Sequence, residues 1–342
     1  MSTNFVARMN LITGATGLLG THLMIELLGR GEPVKALVRE KSNKEHVRTV
    51  FQFYRCEHFD KIQWEIGDVL DVDSLIHAMQ GCSHVFHCAA IVSYHKSQCE
   101  AMHQVNVEGT FNIINASLHV GNVKVAFVSS IAAIGKAKNN EHVDEESEWV
   151  DSPMNTHYAI TKNLSEMEFW RGIHEGLQGI AFNCGFIIGP GDFNRSSPSL
   201  FRKLNEGMHF FPPGGTGFIA AADAAYCIVE LSLSVVTSER FILVTENLSM
   251  KELFQEVAKA LGKRIPDKEA KPWILELARI AEWLKEKTTG KQALVTRETV
   301  KNASLSFVYD SNKLMQAVKL QATPISKAIR STADFFTTQH PG

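Results

Sequence analysis

Short apolar runs alternate along this chain with stretches whose apolar residues recur every three or four positions. Met9-Asn10-Leu11-Ile12 is the first run, and Leu23, Met24, Leu27 and Leu28 follow it at helical spacing. Pro33 to Val38 predicts a second strand, Ile62 to Ile66 a third and His84 to Cys88 a fourth. Val123 to Val128 predicts a fifth and Ile180 to Cys184 a sixth, with helical patterns between them. Strands that alternate with helices require right-handed crossovers, which give a parallel sheet covered on both faces. The pattern therefore predicts an α/β fold with a doubly wound sheet over residues 1–185 and a smaller lobe over 186–342. Phe241 to Thr245 reads as one late strand (240–245) returning to the sheet.

Composition narrows the field without naming a chemistry. At 342 residues and 44% hydrophobic, the chain can build a sizeable core and is not a disordered polymer. A net charge of −2 calls for neither nucleic acid nor an anionic membrane as partner. No apolar run reaches the roughly 18 residues of a membrane span, and no leader-like apolar segment opens the chain. The six cysteines, at 56, 82, 88, 99, 184 and 227, form no C-x-x-C pair and read as reduced thiols of a cytoplasmic protein. His84 and His87 fall on opposite faces of their strand, so no metal pair is expected there.

Candidate chemistry gathers at the carboxyl ends of the predicted strands, where ligands of such sheets bind. After the first strand comes Thr13-Gly14-Ala15-Thr16-Gly17-Leu18-Leu19-Gly20, a G-x-x-G-x-x-G turn into a helix. Gly14 suits a tight turn, Gly17 lets a pyrophosphate approach the backbone, and Gly20 lets the helix pack on the strand. The helix N-terminus offers free N–H groups to phosphates. The second strand ends at Arg39, where an NAD site would usually carry an acid. A guanidinium suits a 2′-phosphate, so NADP (as NADPH) is favoured over NAD, with Glu40 holding a ribose hydroxyl as the competing reading. Asp68, before Val69 at the end of the third strand, reads either as an acceptor for an adenine amino group or as a turn former. Ala89 and Ala90 end the fourth strand with small side chains that leave room for a cofactor.

Further on, Tyr158 and Lys162 lie one helical turn apart on one face, downstream of Ser129-Ser130 at the end of the fifth strand. A nearby ammonium lowers a phenol's pKa, and a serine can hydrogen-bond a carbonyl. The set could protonate an oxygen while hydride arrives at its carbon. Asn106 sits in a helical pattern, where a lone Asn usually faces solvent.

These residues resemble the extended short-chain dehydrogenase/reductases, the NAD-dependent epimerase/dehydratase superfamily. The likeness rests on Thr13-Gly14-x-x-Gly17-x-x-Gly20, Val85 to Ala90, Asn106, Ser129-Ser130, Tyr158-x-x-x-Lys162, Ile188 to Asp192 and Ala222 to Ala225, and it thins after about residue 245. Within the family the chain is most similar to dihydroflavonol reductases and related carbonyl reductases, on Arg39 and the acidic stretch Val143 to Trp149. The resemblance implies a Rossmann-type fold. It implies Tyr158 as proton donor, Lys162 also on the nicotinamide ribose, Ser130 on the carbonyl and Asn106 supporting a water relay to Lys162. The cofactor set it implies is Thr13, Gly14, Thr16, Gly17, Leu18, Leu19, Gly20, Arg39, Asp68, Val69, Ala89, Ala90, Ser129, Tyr158 and Lys162. Ser130 is preferred over Ser129 on its spacing to Gly135.

Departures matter too. Asn183-Cys184-Gly185 stands where many relatives carry Arg-Pro, and Ile131-Ala132 replaces the acidic pair of the dehydratases. The reading is NADPH-dependent reduction of a ketone or aldehyde, reversible as alcohol oxidation. The alternatives are a sugar-nucleotide epimerase with bound NAD and a non-catalytic NADP-binding sensor or scaffold. Members of the family often dimerise through the helices bearing Asn106 and Tyr158. Phe186, Ile187, Ile188, Phe193, Leu200, Phe201, Met208, Phe210, Phe211 and Phe218 hint at a hydrophobic or aromatic substrate, unless they are lobe core. Pro272 to Lys287 predicts an amphipathic helix packed on the lobe by Trp273, Leu277 and Leu284. Thr323-Pro324 predicts the cap and first position of a last helix.

Overall fold

The computed structural model describes residues 9–134, 142–289, 296–303 and 305–340. Gly135, used above to choose between the serines, lies outside the described residues. The main sheet has seven parallel strands: β1 (Met9–Thr13), β2 (Val34–Val38), β3 (Gln63–Ile66), β4 (Cys82–His87), β5 (Lys124–Ser130), β6 (Gln178–Cys184) and, after two strands of a smaller sheet, β9 (Glu239–Leu243). Their order is β9-β6-β5-β4-β1-β2-β3. The order reverses between β1 and β4, and a doubly wound sheet binds its ligand at such a switch point. The smaller sheet, β10-β8-β7, comprises β7 (Phe186–Ile188), β8 (Gly215–Ala220) and β10 (Glu246–Ser249).

Alternation along the strands sends apolar side chains to both faces. Ala126 of β5 joins the core under α1 (Leu18–Gly29), α2 (Lys44–Phe53) and α6 (Ala221–Leu233). Val125 and Phe127 join the opposite core, under α3 (Val72–Met79), α4 (Gly109–Val120) and α5 (His157–His174). A third core joins the small sheet to α7 (Met250–Ala260) and α10 (Ile325–Gln339). After α7 come α8 (Pro272–Thr289) and α9 (Arg297–Ala303).

Several expectations change here. The aromatic residues of the lobe are mostly its core: Ile188, Phe193, Phe201, Phe211 and Phe218 are buried together, and the ring of Phe193 meets that of Phe336 at 4.8 Å. They therefore say little about substrate. The face of α8 expected to pack is exposed, with Trp273 at 61% and Leu277 at 57% accessibility. At the last helix Pro324 is the cap and Ile325 the first helical residue. Thr323 instead turns to Asp223, giving its N–H at 2.6 Å and its hydroxyl at 2.9 Å to that carboxylate. Gly20 packs on the turn before it rather than on the strand, because a Cβ there would run into the Gly14 carbonyl oxygen. Among the described residues no helix is long and apolar enough to cross a membrane, and no His/Cys/Asp/Glu cluster could hold a metal.

Candidate active site

The glycine turn packs against the end of β4. Gly14 has φ +64°, and a Cβ on it would stand 2.7 Å from the Ala89 nitrogen. Glycine is thus required by conformation and by space together. Gly17 is the N-cap of α1 and brings no capping side chain, so the first-turn N–H groups of α1 are left for another acceptor. Gly17 is exposed, Thr16 and Leu18 half-buried, and Leu19 and Gly20 buried beneath them. This open, side-chain-free cradle at a helix N-terminus fits a pyrophosphate.

Behind the cradle a hydrogen-bonded chain crosses β1, β4 and α4. The Ala89 N–H donates to Thr13 Oγ1 (3.3 Å), whose hydroxyl faces His87 Nδ1 (2.8 Å). His87 Nε2 faces Thr110 Oγ1 (3.0 Å), which donates to the Asn106 carbonyl (2.6 Å). Those donors assign a neutral His87 with its proton on Nε2. Burial and the nearby Lys162 ammonium agree, lowering the His87 pKa to about 3. Thr13 thus braces the loop after β4 from a fully buried position.

Asn106 is buried rather than solvent-facing, in a π-helical turn, His103–Glu108. Its side chain clamps Ile91, accepting from the N–H at 2.7 Å and donating to the carbonyl at 3.0 Å, and also donates to Thr161. Its own carbonyl already accepts from Thr110 and Ser165. What Asn106 fixes is the course of the 89–91 loop past the cradle.

Arg39 and Asp68 stand at the ends of β2 and β3. Arg39 is exposed and has no ion-pair partner among the described residues. Asp68 Oδ1 accepts from Leu70 N–H at 3.0 Å, a turn-forming bond that engages one of its two oxygens. Val69 is buried, 2.9 Å from where a Cβ on Gly109 would lie, and so seats α4.

The two serines point apart, as alternation along a strand requires. Ser130 lies near enough to the Tyr158 hydroxyl to lower its pKa, and accepts from Ala132 N–H at 3.1 Å. Ser129 is buried and donates to Glu166 at 2.5 Å. Lys162, 3% exposed, donates to the Val128 carbonyl at 2.8 Å, and its Nζ lies 4.8 Å over the Phe127 ring. Desolvation lowers its pKa to about 8, against the pull of Glu166. Burial pushes the Tyr158 phenol above its ordinary value, with Ser130 opposing; the Lys162 ammonium, turned to the Val128 carbonyl, is not among the groups that lower it.

Residue spacing alone had not singled out Glu166, Arg240, Tyr94 or His95. Tyr94 meets Tyr158 edge to face at 6.3 Å, and the neighbouring His95 reaches Glu286 of α8 at 2.8 Å. Glu166 lies one turn past Lys162 on the same helix face, a spacing that could have flagged it.

Fold and site define a dinucleotide-binding α/β protein with a Tyr–Lys pair beside a strand-end serine. The model of the NAD-dependent epimerase/dehydratase family matches residues 10–231, and the chain belongs to that family, the extended short-chain dehydrogenase/reductases. It is 27% identical over 335 residues to "Putative dihydroflavonol 4-reductase" of Synechocystis sp., covering 95% of this chain and 93% of the relative. It is 32% identical over 243 residues to cinnamoyl-CoA reductase 1 of Oryza sativa subsp. japonica, covering 66% and 70%. The crystal structure of gox2253 superposes with a TM-score of 0.80 at 26% identity, over 97% of this chain and 98% of that one. The NAD complex of UDP-glucose 4-epimerase from Thermus thermophilus shares the fold, with a TM-score of 0.71 at 20% identity over 96% and 98%. An NAD(P) cofactor follows from the family.

Proposed function

We propose that this protein is an NADPH-dependent reductase of a ketone or aldehyde, running in reverse as an alcohol dehydrogenase. The observation that carries the reading is the placing of Ser130, at the end of β5, beside the Tyr158 phenol, with Lys162 one turn along α5. Bound NADPH supplies a hydride. Thr16 to Gly20 would hold its pyrophosphate, Arg39 its 2′-phosphate, and Ala89 and Ala90 would flank it. Tyr158 rests as the neutral phenol, so it has a proton to give to the carbonyl oxygen as the carbon is reduced. Ser130 holds that oxygen by a second hydrogen bond. Lys162, still mainly an ammonium at neutral pH, stabilises the phenolate left behind. Relatives named for cinnamoyl-CoA and dihydroflavonol support an aromatic substrate, and Tyr94 offers it a ring edge.

Two experiments test this. Replacing Tyr158 with Phe should cut kcat by about 10²–10⁴-fold with NADPH affinity unchanged; undiminished turnover by that variant refutes the assignment. Titration with NADPH and NADH should show an NADPH preference that drops at least about tenfold in Arg39→Asp. Equal affinities in the wild type would return the epimerase reading to the front. A homodimer through α4 and α5 is part of the proposal, since Phe111, Ile160 and Met167 are exposed there.

A further inference from the structure

Glu166 is a carboxylate only 2% exposed, which is costly unless every lone pair is used. Here the partners come from four elements. Ser129 of β5 donates at 2.5 Å and Asn183 of β6 at 2.8 Å to Oε2. Arg240 of β9 donates at 2.6 Å to Oε1, and Trp170 of α5 at 3.4 Å. Asn183 also donates to the Ser130 carbonyl at 3.0 Å, so the same cluster grips the backbone beside both serines. Arg240 stays partly solvated, 24% exposed at its side chain. The pair is therefore anchored from the outside, while Ser129 and Asn183 meet the carboxylate from within.

We infer that Glu166 is a positioning residue of the active site: it fixes the helix carrying Tyr158 and Lys162 against the strand end carrying Ser130, and it supplies the counter-charge for Lys162. The inference rests on the proposed role of those three residues. On α5, Tyr158, Lys162 and Glu166 are spaced by one turn each, so a shift of the carboxylate moves the other two. Among the described residues, the titratable groups that act on or feel Lys162 are Glu166 on α5, His87 and Cys88 from β4 and its end, and Cys184 on β6, with Arg240 of β9 behind Glu166. Glu166 is the largest influence favouring the ammonium. His87 is held neutral, and the Cys88 and Cys184 thiols are pushed up by burial, Cys184 to about 12, so neither sulfur carries charge at neutral pH.

The test separates charge from shape. Lysines labelled with ¹³C at Cε are titrated by NMR in the full-length protein, the Lys162 signal being assigned by its loss in Lys162→Arg. In Glu166→Gln the Lys162 midpoint should fall by about one pH unit, and in Glu166→Asp it should stay within about 0.3 unit of wild type. With 4-nitrobenzaldehyde and NADPH, kcat should fall about tenfold in Glu166→Gln, with KM within about twofold. An unmoved Lys162 midpoint in Glu166→Gln overturns the inference whatever happens to kcat. Should that variant not fold, Ser129→Ala carries the test, and a wild-type kcat together with a wild-type Lys162 midpoint in it overturns the inference. Full turnover in Tyr158→Phe would instead overturn the proposed activity, since the midpoint is measured without any substrate.

Discussion

At Tyr158 and Lys162 burial acts on groups of opposite charge and pushes both toward neutrality. The phenol becomes a firmer proton holder, while the amine, opposed by Glu166, keeps most of its charge at pH 7. His22 and His87 show the same force where no counter-charge opposes it. His22 gives its Nδ1 proton to the Leu18 carbonyl at 2.8 Å and faces the Tyr54 hydroxyl through Nε2 at 3.1 Å. Burial lowers its pKa to about 4, and that of His87 to about 3. Both folded values lie below the unfolded value of 6.5, so the unfolded chain takes up more protons as pH falls. The stability these groups contribute is complete above about pH 6.5 and drains away toward pH 4. Thermal unfolding at pH 7.5, 6 and 5 should show Tm falling less steeply in His22→Gln than in wild type, by roughly 2–5 °C over the range. Parallel curves would mean that His22 does not titrate as its burial requires.

At the scale of elements, the parallel strands were legible because each is a short apolar run bounded by turn residues, and a parallel strand is apolar on both faces. The glycine turn was legible for a similar reason: Gly14 carries a left-handed φ that few other residues adopt. What was hidden has a common cause. Ser129, Glu166, Asn183 and Arg240 span more than a hundred positions, and no local period links them. Asn106 looked solvated because its partner, the Ile91 backbone, lies in a loop. Helix α8 shows the converse, a clear apolar stripe that its surroundings leave uncovered. Trp273→Gln with Leu277→Gln should therefore shift Tm by no more than about 2 °C, whereas Phe254→Ala in the lobe core should cost about 3–5 kcal/mol. Thermal unfolding of both variants checks this, and a large loss in the α8 pair would show that the stripe is packed in solution.

In the whole molecule the chain does not finish its sheet before starting its lobe. The last strand, β9, arrives after α6 and pairs in parallel with β6 through Glu239 to Leu243. Asp223 then holds Thr323, tying residues a hundred apart at the start of the final helix. All seven strands were anticipated, the late one included, though not their order in the sheet; how the lobe is strapped down was not, because Asp223 reads like any acid in the first turn of a helix.

The lateness of β9 has a meaning for a chain emerging from the ribosome, where the N-terminal part folds first. The glycine cradle and the strands around it are complete by residue 184. Until residue 240 has been made, Glu166 lacks its guanidinium and the outer edge of β6 stands bare. On the proposed function, the nucleotide cradle is therefore in place before the cluster around Glu166 is complete, and turnover would report that the late strand has docked.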